Sequence, residues 1–273
     1  MAGVSAGPAG TGSWAGLEGW ATGGRKTDED EYTILTHASL VLILSLDTTT
    51  RAGSAAVLRD DTVVAVAEGD PSHTHGERLP AELEAVLRLA RVQLADVDVL
   101  AVARGPGAFT GLRIGLAAMQ GVAMVTGRPV VGVSALEALA VAAFEGLLAT
   151  HARIGVWMDA ARGEIFAAAY DAAGDVGGVP ELAPLTEPEV DRPEAVWGRW
   201  QSIPHPPAPW IFAGDGALRY APVLGHLKVA TAGPLAPAIA RLARRRADQG
   251  SHAPHDLQPL YVRRPDAERG GRT

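Results

Sequence analysis

Gly105-Pro106-Gly107-Ala108-Phe109-Thr110-Gly111-Leu112-Arg113 joins the apolar run Val99 to Ala103 to a long apolar stretch ending at Val125. A short buried strand entering a helix through a glycine-rich turn is the repeating unit of a layered α/β protein. Free N–H groups and the helix dipole at such a turn favour an anion. Gly105, Gly107, Thr110, Gly111 and Arg113 are therefore candidate phosphate contacts, the alternative being a tight strand-to-helix turn. A dinucleotide fingerprint does not fit, because the third glycine falls one residue late and no acid follows about 20 residues on.

Working outward, Val41 to Leu46, Ser54 to Leu58 and Thr62 to Ala67 read as strands, and Glu77 to Leu94 as an amphipathic helix. Leu79, Leu83, Val86, Leu87, Ala90 and Leu94 lie at helical spacing, with Pro80 in the first turn. Gly111 to Val125 reads as a helix, Val130 to Val133 as a strand and Leu136 to Leu148 as a helix. A second unit repeats the opening pattern, with Ile154 to Met158 and Ile165 to Tyr170 around the turn Asp159 to Glu164. Gly174 to Pro209, rich in Pro and Gly, reads as a long surface excursion. Trp210 to Ala213, the turn Gly214-Asp215-Gly216 and a helix through Ile239 and Leu242 complete that half. The expected division is a disordered extension over 1–39, a first lobe over 40–150 and a second over 151–273.

The 273 residues are 47% hydrophobic and 20% charged, the composition of a globular chain rather than a disordered one. At 5% aromatic, the core is expected to be Ala, Val and Leu. The absence of cysteine excludes disulfides and thiolate chemistry and fits a reducing, cytoplasmic setting. A net charge of -7 argues against an autonomous nucleic-acid binder, which needs excess Lys and Arg. No uncharged apolar run reaches the roughly 18 to 20 residues of a membrane span, so no membrane association is expected. Gly3 to Gly7 matches a hydrolase nucleophile pattern and Gly19 to Thr27 a P-loop, but neither follows a strand. No two histidines are spaced four apart, and His73 and His75 near Glu77 read as a polar helix start rather than a metal site.

Asp47, Thr48 and Thr49 end the first strand. They could offer hydroxyls and N–H groups to a phosphate and a carboxylate to hydrated Mg²⁺, or could cap their own turn. The helix after the glycine-rich loop carries Leu112, Ile114, Leu116, Met119 and Val122 with little polar surface, so it must be buried on more than one side. Its second side is covered by the preceding helix or by another protein. Arg241, Arg244, Arg245 and Arg246, with Arg263 and Arg264, are the one basic concentration, read as a solvated helix end or as a tRNA contact.

Leu46 to Thr50, Gly105 to Arg113, Asp159-Ala160 with Gly163-Glu164, Gly214-Asp215-Gly216 and Pro259-Leu260-Tyr261-Val262-Arg263 occur in the order of the bacterial TsaB (YeaZ-like) family, which the chain resembles from about Val41 to Arg264. The loop differs from the usual family string only at Ala108, where serine is usual, and Ala161 stands where the family has arginine. The resemblance implies a two-lobed actin-like, Hsp70-like ATPase (ASKHA) fold with mixed sheets flanked by helices. It implies an accessory subunit for making threonylcarbamoyladenosine in tRNA, without catalytic residues or a metal of its own. The expected partners are a catalytic TsaD-like paralogue, a TsaE-like ATPase and, through the complex, tRNA, with a homodimer when the chain is alone. No cofactor is expected to be tightly bound, ATP or ADP with Mg²⁺ being expected at the complex interface. The tentative nucleotide site is then Asp47, Thr48, Thr49 and the loop together with Asp159, Gly214, Asp215 and Gly216. The partner face is then Leu79, Leu83, Leu112, Leu116, Met119 and Val122. The alternatives are an autonomous ATP-dependent kinase or ATPase, or a glycoprotease-like hydrolase, of the same fold.

Overall fold

The structure, a computed structural model, describes residues 41–147, 149–174, 179–204, 209–247 and 253–263. The expected extension over 1–39, with its two short motif matches, and Arg264 lie outside the described residues.

In chain order the first half contains β1 (Leu42–Asp47), β2 (Ser54–Arg59), β3 (Thr62–Glu68), α1 (His75–Ala90), β4 (Val99–Ala103), α2 (Phe109–Thr126), β5 (Val130–Val133) and α3 (Ala135–Glu145). The second contains β6 (His151–Asp159), β7 (Ile165–Ala173), β8 (Glu181–Pro184), β9 (Glu189–Asp191), α4 (Pro193–Trp200), β10 (Trp210–Ala213), α5 (Asp215–Arg219), α6 (Ala221–Leu224), β11 (Lys228–Ala230) and α7 (Ala236–Ala247).

The first sheet has the order β3-β2-β1-β4-β5, with β1, β2 and β3 antiparallel and β4 and β5 parallel to β1. The second has the order β11-β10-β6-β7-β8, again an antiparallel meander with two parallel strands on its other side. The two halves thus share one topology, and the fold is the mixed, actin-like arrangement that the resemblance implies. The halves also exchange their last helices. α7 packs on β1, β2, β4 and β5 of the first sheet, while α3 packs on β6 and β7 of the second and against α7. α3 is accordingly the helix buried all round, from Leu136 through Ala138, Leu139, Ala140 and Val141 to Phe144.

That burial corrects the reading of α2. Leu112, Leu116, Met119 and Ala123 bury a single face against the first sheet, and Met124 and Val125 remain 77% and 88% exposed. α1 begins two residues before its expected start because the Glu77 carboxylate accepts from the Thr74 N–H at 2.8 Å and hydroxyl at 2.7 Å. The same two bonds, the hydroxyl's first, hold the Glu77 carboxyl below its usual range. The earlier start leaves Pro80 inside α1 rather than in its first turn.

The stretch Gly174 to Pro209 is more than an excursion. β8 and β9 both pair with β7, and α4 delivers Trp200 into a core with Trp157, Trp210 and Phe212. The Trp200 indole N–H donates to Glu189 on β9 at 2.8 Å. All four described tryptophans, with Phe212 and Tyr220, are therefore gathered on the outer face of the second sheet, while mostly aliphatic residues fill the core of the first sheet and the space between the sheets, the latter with Phe144, Phe166 and Tyr170.

Candidate functional site

β1 ends in Asp47, which with Thr48 and Thr49 is almost wholly buried. One Asp47 carboxylate oxygen accepts from the Thr49 N–H at 2.8 Å and hydroxyl at 2.5 Å, and the other from the Thr50 hydroxyl at 3.0 Å. The carboxylate thus caps its own turn, the second of the two readings open from sequence.

The glycines of the loop explain why this turn and α2 lie so close. A Cβ on Gly107 would meet Thr49 Cβ at 2.5 Å, one on Gly111 the Thr48 carbonyl oxygen at 2.4 Å, and one on Gly115 the Thr48 hydroxyl at 2.1 Å. Gly107, Gly111 and Gly115 are four apart, so one side of the loop and helix is bare backbone laid on Thr48 and Thr49. Sequence reasoning missed Gly115, although this spacing was there to be read. With Asp47 engaged by its turn and the glycines facing Thr48 and Thr49, these residues form a packed junction.

A second brace was also missed. His75 Nε2 donates to the Thr50 carbonyl at 3.0 Å, and its Nδ1 accepts from Arg78 at 2.9 Å. Arg78, 9% exposed, also donates to the Ala52 carbonyl at 2.5 Å and pairs with Glu82. Breaking a buried pair strands its partner, so Arg78→Met is expected to lower stability by about 3 to 5 kcal/mol. Urea unfolding measures this, and a loss below about 1 kcal/mol would make the brace incidental. Among the described residues no group of three or more His, Asp and Glu side chains is placed to hold a metal.

The structure also brings together the second set of predicted residues. The Asp215 carboxylate accepts from the N–H groups of Asp159 and Gly216, each at 2.9 Å, and Asp159 pairs with Arg219 at 3.1 Å. A Cβ on Gly214 would lie 2.3 Å from the Trp157 carbonyl oxygen, which is why that turn needs glycine. Ala161, at the position where the family has arginine, is left-handed with φ 58°, as are Arg162 and Gly163 beside it. Two adjacent non-glycine residues in that region are uncommon and strained.

A segment near the carboxyl end links the two sets. The Gln120 amide on α2 donates to the carbonyls of Pro254 and Leu257, and the Leu260 N–H to that of Arg104 at 2.6 Å. The Leu260 carbonyl lies against Gly105, whose φ of 110° and missing Cβ make room for it. Tyr261 then meets Phe109 and Arg113, and Arg263 pairs with Glu164.

The predicted partner face changes. Leu79, Leu112, Leu116 and Met119 are at most 4% exposed and belong to this chain's own core, and Leu83 and Val122 are half-buried against it. What α2 presents outward is the line Phe109, Arg113, Ala117, Gly121 and Val125, with Met124 beside it.

The basic concentration on α7 is bonded within the chain. Arg241 pairs with Glu145 at 2.8 Å, Arg246 with Glu137 at 2.8 Å, and Arg245 donates to the Val179 and Pro180 carbonyls. Burial pushes the Glu145 carboxyl up, the guanidinium of Arg241 opposing it. These three arginines tie α7 to α3 and to the residues just before β8.

Residues 69–244 match the family model described as TsaD, tRNA N6-adenosine threonylcarbamoyltransferase. The chain is 35% identical over 166 residues to the tRNA threonylcarbamoyladenosine biosynthesis protein TsaB of Escherichia coli, covering 59% of this chain and 70% of that one. It is 30% identical over 247 residues to an uncharacterized protein of Mycobacterium tuberculosis, covering 86% and 97%. Among solved structures, YeaZ from Pseudomonas aeruginosa superposes with a TM-score of 0.68 at 30% identity, covering 81% of this chain and all of that one.

Proposed function

The chain belongs to the TsaB/YeaZ family, and from that premise we propose that it serves the biosynthesis of threonylcarbamoyladenosine in tRNA as a non-catalytic subunit that docks on and activates a TsaD-type transferase. The observation that carries the docking is the exposed side of α2. Phe109, Arg113, Ala117, Gly121 and Val125 are four apart and form one line along the helix, opposite the buried Leu112, Leu116, Met119 and Ala123. The middle of the line is small, nothing lying within 4 Å of a Cβ built on Gly121. Its ends are large, with Phe109 56% and Val125 88% exposed. Such a face accepts the ridge of a second helix. Leu89 on the neighbouring α1, 62% exposed, adds apolar surface.

The family model spans α1 and α2, so a TsaD-type protein carries counterparts of both helices. Related surfaces can pair about an approximate twofold axis, and a second copy of this chain would compete for the same face. A TsaE-like ATPase and the tRNA then engage the assembled complex, in the cytoplasm. The test is threonylcarbamoylation of a tRNA substrate by the TsaD-type and TsaE-like proteins of the same organism, with and without this chain. Dependence on the chain supports the reading, and full modification without it overturns the reading.

The isolated chain holds no tightly bound nucleotide on this reading, and ATP or ADP with Mg²⁺ binds in the complex. The packed Asp47 turn supports it. Calorimetric titration of the free chain with MgATP is expected to give no saturable heat, and Asp47→Ala to cost stability, about 1 to 3 kcal/mol, as the Thr49 N–H loses its acceptor. Micromolar binding lost with Asp47→Ala would favour the autonomous kinase or ATPase instead.

A further inference from the structure

Tyr261 belongs to the carboxyl-terminal segment, outside α1 and α2, yet it stands at one end of the α2 line. Its ring stacks on that of Phe109, with centroids 5.8 Å apart and planes at 29°. The Arg113 guanidinium lies 3.9 Å over the Phe109 ring, and its Nε donates to the Tyr261 hydroxyl at 3.0 Å. Phe109 and Tyr261 are nonetheless 56% and 44% exposed. Among the described residues Arg113 has no carboxylate partner, so its remaining donors are open.

From this arrangement we propose that Tyr261, with Phe109 and Arg113, forms an anchor point of the docking face, where the TsaD-type partner places a carboxylate on Arg113 and apolar surface on the two rings. The inference rests on the docking reading above and extends it to a residue of the carboxyl-terminal segment. Phe109 and Arg113 lie on the same line as Ala117, Gly121 and Val125, so the anchor is continuous with the proposed face. The open guanidinium calls for an acidic group on the partner. Tyr, Phe and Arg are the kinds of residue that dominate interface energetics. The stack and the hydrogen bond hold all three in place before the partner arrives, which lowers the entropic cost of docking. The Arg104 and Gly105 contacts of Leu260 and the Arg263–Glu164 pair hold Tyr261 there from either side.

The test is the affinity of the full chain for the TsaD-type protein of the same organism, by calorimetry, for Tyr261→Ala, Arg113→Gln and Gly121→Arg. Tyr261→Ala and Arg113→Gln are each expected to weaken binding by about thirtyfold or more. Their combined effect should fall short of the product of the two, because they act through one contact. If Tyr261→Ala and Arg113→Gln bind within about twofold of the unaltered chain while Gly121→Arg does not bind, the anchor is refuted and the α2 docking face stands. If Gly121→Arg also binds normally, the docking reading itself fails. Should Tyr261→Ala lower the thermal midpoint of the free chain, Arg113→Gln at the exposed helix start decides alone.

Discussion

Gly121→Arg is expected to abolish assembly with the proposed TsaD-type partner, and the tRNA modification that would depend on it, while the free chain stays folded. The expectation combines two facts about one position. Gly121 is exposed on the middle turn of α2 with nothing within 4 Å of its missing Cβ, so the monomer accommodates a long side chain there. The same bareness lets a second helix approach, and an arginine would fill the contact and bury an unpaired charge. That costs about 3 to 5 kcal/mol, or roughly a few hundred- to a few thousandfold in affinity. Val125→Glu should act in the same direction, more weakly, from the end of the line. Met119→Glu should behave differently, unfolding the chain, because Met119 is wholly buried beneath the helix. Size-exclusion chromatography of each variant alone and mixed with the partner reads all three. A folded Gly121→Arg chain that still assembles an active complex places the partner elsewhere.

The second large effect is a contrast between two glycines of the same helix. Exchanging glycine for alanine inside a helix normally stabilises by about 0.5 to 1 kcal/mol, and Gly121→Ala should show that gain. Gly111→Ala should instead destabilise by about 2 to 4 kcal/mol. Its Cβ would stand 2.4 Å from the Thr48 carbonyl oxygen and 3.0 Å from the His75 ring, and a backbone oxygen held by the Asp47 turn has nowhere to go. Thermal and urea unfolding of the two variants should therefore move in opposite directions. Equal shifts would mean that α2 can lift away from the turn freely and that the close packing of Gly111 on Thr48 is not needed.

Much of this molecule was legible before any coordinates. β4 and β5 have the bounds read from sequence, because each is a short, largely apolar run flanked by polar residues or proline, β4 between Asp98 and Arg104 and β5 between Pro129 and Ser134, and such a run admits few alternatives. The repeat of strand, polar turn and strand near Asp159 likewise announced the second sheet. The end of α1 was harder to read: Leu94 continues the apolar spacing, but Arg91 turns left-handed with φ 55° and ends the helix at Ala90. β8 and β9 are too short, at four and three residues, to carry a periodic signal, and exist only because β7 offers them an edge.

The site divides along the same line. Which residues meet within a few positions of each other, such as Asp47 with Thr49 and Thr50, follows from local chemistry and could be posed from sequence as a choice between two readings. The rotation of α2 about its own axis could not. With Leu, Ile, Met and Val on every side, its periodicity is nearly the same whichever side meets the sheet. What chooses is the backbone contact of Gly107, Gly111 and Gly115 with Thr48 and Thr49, 58 to 67 residues earlier in the chain. That contact buries Met119, turns Gly121 and Val125 to solvent and sets Arg113 beside Tyr261, 148 positions away. Local pattern determined the elements and their order. Contacts between residues remote in sequence, made possible where side chains are missing, decided which surface is left for a partner.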